Sequence, residues 1–376
     1  MDRTRSHTRR DRPPLLPTLA IAVVVALSGC ATPRSVVAPD SDAGAPAARA
    51  PAPRAVPPKL PTFDADTQKR ILALDPEHIT ESDVRGTLAA APAPRIILVH
   101  GGVVGTNLLM MSFGRFLAAM GYPGDRIRDP SDQAWSQDPF GSAERIAGEI
   151  AWHYEREGVR PMIIGHSQGG IQTVKVLYEL NGTFEDPIPV WNAAIDQPEA
   201  RTWIFDPLSK VKRPVVGLSV SFAAVVGAGG IALAAPPHWI MAPRLHTIPN
   251  TVDEFTGFVI AFDLIAWTLP GTHSAAYEHN GTAIVRNVEL PASYNHVFVP
   301  MTRSLADDPA LRDWLNAYVP GRDNGDPPGA DEGRATNALF AADVWFSIKK
   351  HWCLEAQRLV RAQNPVGEGT LTTRDP

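Results

Sequence analysis

The sequence predicts an α/β fold with a mainly parallel central sheet and helices on both of its faces. Three observations carry that expectation. From about Phe63 onward, short apolar runs alternate with amphipathic stretches of helical period, a βαβ rhythm. Runs such as Ile96-Ile97-Leu98-Val99 and Met162-Ile163-Ile164 are apolar throughout, as strands covered on both faces are. The composition, 44% hydrophobic and 20% charged, suits one core of about 300 residues and excludes a disordered or collagen-like chain.

Arg95 to Val99 reads as the first strand and ends in His100-Gly101-Gly102. Asn107 to Met120 reads as a helix because Leu108, Leu109, Phe113, Phe116, Leu117 and Met120 recur at its period, and Gly121 stops it. Ser142 caps a second helix that runs through Glu157, with Ile146, Ile150 and Tyr154 on one face and Gly158 at its end. Pro161 to Ile164 is the next strand and Gln168 to Leu180 the next helix. Further strands are expected at Val215–Ala224, Phe255–Ile260 and Ala283–Leu290, the last with partial alternation. Pro309–Tyr318 and Asn337–Gln363 read as helices, and Trp345, Ile348, Trp352, Ala356 and Leu359 mark the buried stripe of the second. Arg322 to Gly333, rich in Asp, Gly and Pro, reads as a loop, and residues 364–376 as a disordered tail. The folded domain is therefore placed at 63–363, and the 63–94 segment shows no clear early strands.

The first thirty residues read as a targeting segment. Arg3, Arg5, Arg9, Arg10 and Arg12 form a basic region, Leu19 to Leu27 an unbroken apolar stretch, and Leu27-Ser28-Gly29-Cys30 follows. Nine apolar residues are too few to span a bilayer, which takes about 20. The tetrapeptide resembles the bacterial lipobox, which implies that residues 1–29 are a lipoprotein signal peptide and that Cys30 is lipidated. Two other readings are an ordinary signal peptide and twin-arginine export at Arg9-Arg10, the latter weakened by Asp11, Arg12 and Pro13. Lipidation implies a protein that sits on a membrane through its anchor without spanning it. Ala31 after the Cys points to the outer membrane of a bacterial cell envelope, facing periplasm or surface. Residues 30–62 then form a linker; eight Pro and nine Ala within 31–62 suit an extended spacer.

Charge excludes one large class of function. Lys+Arg 35 against Asp+Glu 40 gives a net charge of −5, and removing residues 1–29 takes away five Arg and two Asp, which moves it to −8. An acidic chain with no basic block after its first dozen residues argues against nucleic-acid binding, which needs a basic footprint. With Cys30 lipidated, Cys353 is the only thiol left, so no intrachain disulfide is expected.

Gly165-His166-Ser167-Gln168-Gly169 fits G-x-S-x-G and stands between a strand and a helix, the context in which the pattern becomes informative. A serine on so sharp a turn occupies strained backbone, and Gly165 and Gly169 leave room for strand and helix to approach. With Leu98-Val99-His100-Gly101-Gly102 about 65 residues earlier, this motif resembles the α/β-hydrolase superfamily, and its lipase/esterase branch in particular, over roughly 95–300. The resemblance implies the α/β-hydrolase fold, a nucleophile at Ser167, and the chain order Ser, acid, His. His296 follows the last predicted strand within a short loop, where the family places its base. Of the other histidines after Ser167, His273 and His279 precede that strand, and His351 reads as a packing residue of the last helix. Asp263 ends the run Phe258 to Phe262 and is the candidate acid, whereas Asp196, Asp206, Asp253 and Glu254 precede their strands. The resemblance further implies an oxyanion hole from the backbone N–H of Gln168 and one from Gly102 or Val103, with His100 shaping the loop and His166 supporting the turn.

Two competing signals remain. Pro214 to Ala235 carries no charge and is long enough for a membrane helix, yet its start and its glycines favour a buried strand followed by an apolar loop beside the site, a lid or a membrane-facing surface. Gly227 to Ala232 matches G-x-G-x-x-A, but Pro236-Pro237 cuts off the helix that a dinucleotide site requires. No His/Cys/Asp cluster has metal-ligand spacing, and no cofactor is expected. The expected function is serine hydrolysis of carboxylic esters, on an acyl-ester small molecule or lipid, with Val103, Val104, Leu108, Leu109 and Met110 suited to an acyl group. A thioesterase, acyltransferase or polyester depolymerase would use the same triad, and a non-catalytic lipoprotein scaffold would keep only the fold.

Overall fold

The computed structural model describes residues 60–234, 236–267 and 276–364; the signal peptide, Cys30, most of the linker, His273 and the tail from 365 lie outside the described residues. Five parallel strands form the central sheet, and their order across it is their order in the chain: β1 (Ile96–Val99), β2 (Met162–His166), β3 (Val220–Val226), β4 (Val252–Ile260) and β5 (Ile284–Leu290). Successive side chains of these strands face opposite sides. Ile96, Leu98, Met162, Ile164, Phe222, Ala224 and Phe258 join one apolar cluster, while Ile97, Ile163, Ala223, Val225 and Phe255 join another. Burial on both faces explains why β1, the start of β2 and most of β3 read as apolar runs.

The chain enters through two helices, α1 (Ala65–Ala73) and α2 (Glu81–Gly86), and among the described residues before β1 there is no strand. The sheet therefore begins at Ile96. Its β1 edge is covered by the loop around Gln137, whose backbone N–H donates to Leu98 O at 2.7 Å and whose carbonyl accepts from His100 N at 3.2 Å. α3 (Thr106–Ala119) packs on the first cluster. α4 (Ala143–Glu157), capped by Ser142 and closed by left-handed Gly158, packs on the second with α5 (Gln168–Leu180). After β5 the chain returns to the first face as α6 (Pro309–Ala317) and α7 (Ala338–Gln363). Trp345, Ile348, Trp352 and Ala356 of α7 are all fully buried there. Burying two indoles over the sheet contributes several kcal/mol, of the order of 2–3 for each.

Ion pairs tie α7 to the sheet. Arg286 of β5 donates to Glu254 of β4 at 3.0 Å and to Asp343 of α7 at 2.8 Å. Glu254 also meets Lys350 at 2.9 Å and His351 at 3.3 Å, so His351 is a packing and pairing residue of α7, stacked on Phe222.

Two strand starts differ by more than one residue from the sequence expectation. The strand expected from Val215 starts only at Val220, because Val215 closes a hairpin of Trp203–Phe205 with Lys212–Pro214 and Gly217, at φ 91°, turns the chain before the sheet. The strand expected from Phe255 starts three residues earlier, at Val252, since pairing with β3 begins at Val220 opposite Val252. The uncharged 214–235 stretch becomes fully buried β3 and then a 3₁₀ turn at Gly230–Ala234, and no described helix is long and apolar enough to cross a membrane.

Candidate active site at the carboxyl edge of the sheet

In a parallel sheet every strand delivers its following loop to one edge, and side chains from distant sequence positions meet there. β2 delivers Ser167. Its backbone, at φ 55° and ψ −120°, lies in the left-handed half of conformational space that a non-glycine residue avoids, at a cost of about 1–3 kcal/mol. The neighbours hold it there. Ser167 N–H donates to Val226 O at 2.8 Å, and Gly170 N–H donates to Ser167 O at 2.9 Å. The glycines are steric necessities: a Cβ on Gly165 would lie 2.2 Å from Gly169 O, and one on Gly169 would lie 2.3 Å from Val99 O.

β4 and β5 deliver the other two groups. Ser167 Oγ lies 2.8 Å from His296 Nε2, and His296 Nδ1 lies 2.5 Å from Asp263 Oδ2. The second oxygen of Asp263 accepts the backbone N–H groups of Ile265 at 2.9 Å and Ala266 at 3.1 Å. Burial pushes this carboxyl's pKa up, but the hydrogen bond and charge of His296, with the two amides, outweigh burial and hold it below the usual range. Asp263 is therefore an anion aimed at Nδ1. Asp263 and His296 are buried, and Ser167 is partly open to solvent. Gly227, at φ 63°, leaves the space for the ring, since a Cβ there would sit 2.8 Å from His296 Cε1.

Two further histidines are fixed in role by their partners. His166 Nε2 lies 2.7 Å from the carbonyl of His296, which can only accept, so that nitrogen carries the proton. Burial, reinforced by the nearby His296, lowers the His166 pKa to about 3, so the ring is neutral and anchors the backbone of the His296 loop. His100 Nδ1 donates to Gly101 O at 2.7 Å, and the Thr106 hydroxyl lies within hydrogen-bond distance of the Gly101 and Val103 carbonyls, which shapes the 101–105 loop.

That loop abuts the start of α5. A Cβ on Gly102 would fall 1.9 Å from Gln168 Oε1, so Gly102 and Gln168 are neighbours beside Ser167. Gln168 is the first residue of α5, where a backbone N–H has no acceptor within the helix and the helix dipole is positive. Val103, the alternative donor in the loop, has an exposed side chain.

Sequence reasoning missed His238. The Gln168 side-chain amide donates to His238 Nε2 at 2.9 Å, which pins the 3₁₀ segment Pro236–Met241 over the start of α5. His238 is buried, which lowers its pKa and suits a neutral acceptor. Only its place in an apolar, Pro-rich stretch after a strand could have singled it out. Met110 belongs to the core cluster on the α3 side, so it does not line the mouth, whereas Val104 and Leu108 are exposed beside it. The competing acids are occupied elsewhere: Asp196 accepts from Arg145 and Trp191, and Asp253 from Arg160. Among the described residues the G-x-G-x-x-A match is followed by 3₁₀ turns and not by an α-helix; Gly227 and Gly230 serve close approach to His296 and to Ile265 O. A cavity of about 680 Å³ lined by Tyr294, Trp314 and Tyr318 lies under the 322–336 loop and includes none of the three hydrogen-bonded residues.

No protein-family model matches this chain, and no curated protein matches it significantly in sequence.

Proposed function

We propose that this protein is a serine hydrolase of carboxylic esters with an α/β-hydrolase fold, held to the bacterial envelope through Cys30. One observation carries the catalytic reading: the continuous hydrogen-bonded chain Ser167–His296–Asp263, with the serine on a strained strand-to-helix turn. A serine hydroxyl is a poor nucleophile until a base removes its proton in the attack. His296 Nε2 is within 2.8 Å to do so, and ionised Asp263 holds the ring with its proton on Nδ1 and stabilises the imidazolium that forms.

Attack of Ser167 Oγ on the ester carbonyl breaks the C=O π bond and puts negative charge on that oxygen. The N–H of Gln168, at the positive end of thirteen-residue α5, is the first donor for it, and Gly102 or Val103 supplies the second. Each such donor is worth about 3 kcal/mol in the transition state. His296 returns its proton to the leaving alkoxide, which departs as the alcohol. Water, deprotonated by His296, then attacks the acyl carbonyl; the bond to Ser167 Oγ breaks, His296 returns the proton to that oxygen, and the carboxylic acid leaves. His166 takes no proton in these steps; it keeps the His296 backbone where Nε2 faces Oγ.

The test is fluorophosphonate labelling of the full chain beside Ser167→Ala, with a short and a long p-nitrophenyl ester as rate probes. Labelling and turnover lost together in the variant are expected. A folded wild-type chain that neither labels nor turns over ester, with and without detergent, would refute the reading and favour a scaffold.

A further inference from the structure

Residues 318–337 connect α6 to α7 without a helix or strand. A connection longer than about 15 residues that carries no element of its own is uncommon in a compact domain, and is usually either functional or disordered. This one is pinned. The Asn324 side chain accepts Val319 N–H at 2.9 Å and donates to the carbonyls of Val319 at 3.0 Å and Arg322 at 2.9 Å. Trp314 Nε1 of α6 donates to Asn324 O at 3.0 Å, and Arg334 pairs with Asp308, the cap of α6, at 2.6 Å. The pinned loop covers the cavity of about 680 Å³, a size within the roughly 300–1,000 Å³ of small-molecule sites.

The lining divides by chemistry. Trp314 and Tyr318, one turn apart on α6 with ring centroids 5.6 Å apart, and Tyr294 from the loop after β5 supply aromatic surface. The indole N–H is engaged by Asn324, and the Tyr294 hydroxyl accepts Leu339 N–H at 3.0 Å, so both rings are fixed from outside the cavity. Asp323, Asp326 and Arg322, all exposed, add charged acceptors and donors from the loop. One Asp323 oxygen accepts Gly325 N–H at 3.0 Å, which orients the carboxylate and leaves its other oxygen to accept again. No further charged residue lines the cavity among those described.

A fatty acyl chain requires walls without carboxylates, and a phosphate requires more cations than one Arg set against two Asp. A sugar requires what is present. One face of a pyranose is a patch of C–H groups that packs on an aromatic ring, and its hydroxyls both donate and accept, which carboxylates and a forked guanidinium complement. We infer that this cavity binds a neutral saccharide, with its C–H face against Trp314 and Tyr318 and its hydroxyls toward Asp323, Asp326 and Arg322. The pinned frame is formed before the ligand arrives, so little ordering opposes binding. The site is separate from the hydrogen-bonded chain at Ser167, and the inference does not rest on ester hydrolysis.

The experiment titrates maltose, cellobiose and N,N′-diacetylchitobiose into the full chain, read by calorimetry and saturation-transfer NMR. At least one of them is expected to bind with a millimolar or tighter Kd. Trp314→Phe keeps a ring and is expected to bind within a few-fold of wild type, whereas Trp314→Leu keeps only apolar volume and weakens binding at least about tenfold. Asp326→Ala, on the exposed loop, is expected to weaken binding with the thermal midpoint unchanged, so that the loss is not one of folding; Asp326→Asn, uncharged but hydrogen-bonding, retains it. No binding by any of the three sugars overturns the inference, as does binding that Trp314→Leu and Asp326→Ala both leave unchanged. Choline bound in place of the sugars, and lost in Asp326→Asn, would assign the cavity to an organic cation and overturn it too. Ser167→Ala is expected to bind sugar as wild type does, so a chain that turns over no ester leaves this result standing; sugar binding abolished by Ser167→Ala would put the sugar at the serine and overturn the inference.

Discussion

Replacing Asp263 by Asn keeps the size of the side chain and reverses the logic of the site. One oxygen of Asp263 accepts two backbone N–H groups, from Ile265 at 2.9 Å and Ala266 at 3.1 Å. The Asn carbonyl oxygen must stay in that position, since an NH₂ there would face two donors. Its NH₂ then points at His296 Nδ1, where the carboxylate now sits at 2.5 Å, and that nitrogen becomes the acceptor. The ring proton moves to Nε2, which faces Ser167 Oγ at 2.8 Å, and the group that should take a proton donates one instead. Loss of the base tautomer costs about 10⁴ in kcat, or about 5.4 kcal/mol at 1.36 kcal/mol per decade. Folding changes little: one charged hydrogen bond is weakened, worth about 1–2 kcal/mol, and Tm moves by less than about 5 °C. The assay is ester turnover and thermal unfolding of the same preparation. A kcat within about tenfold of wild type would refute the reasoning and require another acid. Asp196 and Asp253, held by Arg145 and Arg160, offer none at this edge.

The glycines separate folding from chemistry. Gly169→Ala drives a methyl into the Val99 and His100 backbone carbonyls, so soluble folded protein is expected to be lost, whereas Gly102→Ala meets only the movable end of Gln168 and is expected to fold while kcat falls by about tenfold or more; circular dichroism and turnover distinguish the two. Acid acts through Glu254. Burial raises this carboxyl's pKa, but His351, Lys350 and Arg286 overcome burial and hold it well below the ordinary range in the folded chain. Its folded pKa is thus below its unfolded value of about 4.3, so the stabilisation is complete above that value and drains away as pH falls from about 5. Urea unfolding of wild type is expected to weaken over that range, and Glu254→Gln to be less stable at pH 7 with a shallower acid dependence; parallel curves would remove Glu254 from the account.

The strained turn at Ser167 was legible in the sequence because everything that makes it is local. A strand of apolar residues, glycines at 165 and 169 and a helix starting at Gln168 specify the backbone within a dozen positions, and Ser167 has the strained φ that this pattern requires. Asp263 and His296 were legible more weakly, as polar residues just past the ends of strands, where a parallel sheet gathers its loops. Helix limits came out within a residue because caps and stops such as Ser142 and Gly158 lie next to what they limit.

Only the tertiary structure decided the rest, and each case turns on partners far apart in the chain. Val215 has the composition of a strand residue, yet it joins a hairpin bond to Thr202, and β3 waits until Val220. His238 became part of the site through Gln168, seventy positions away, and His166 through the carbonyl of His296. Met110 and Leu108 look equally suited to an acyl chain, but the turn of α3 sends one to the core and the other to solvent. The cavity under the 322–336 loop draws its rings from the loop after β5 and from α6 and its carboxylates from Asp323 and Asp326, so no single element contains it. Local sequence dictates backbone conformation through sterics and capping; which distant side chains share an edge is dictated by the strand order, and that is settled only when the whole core packs.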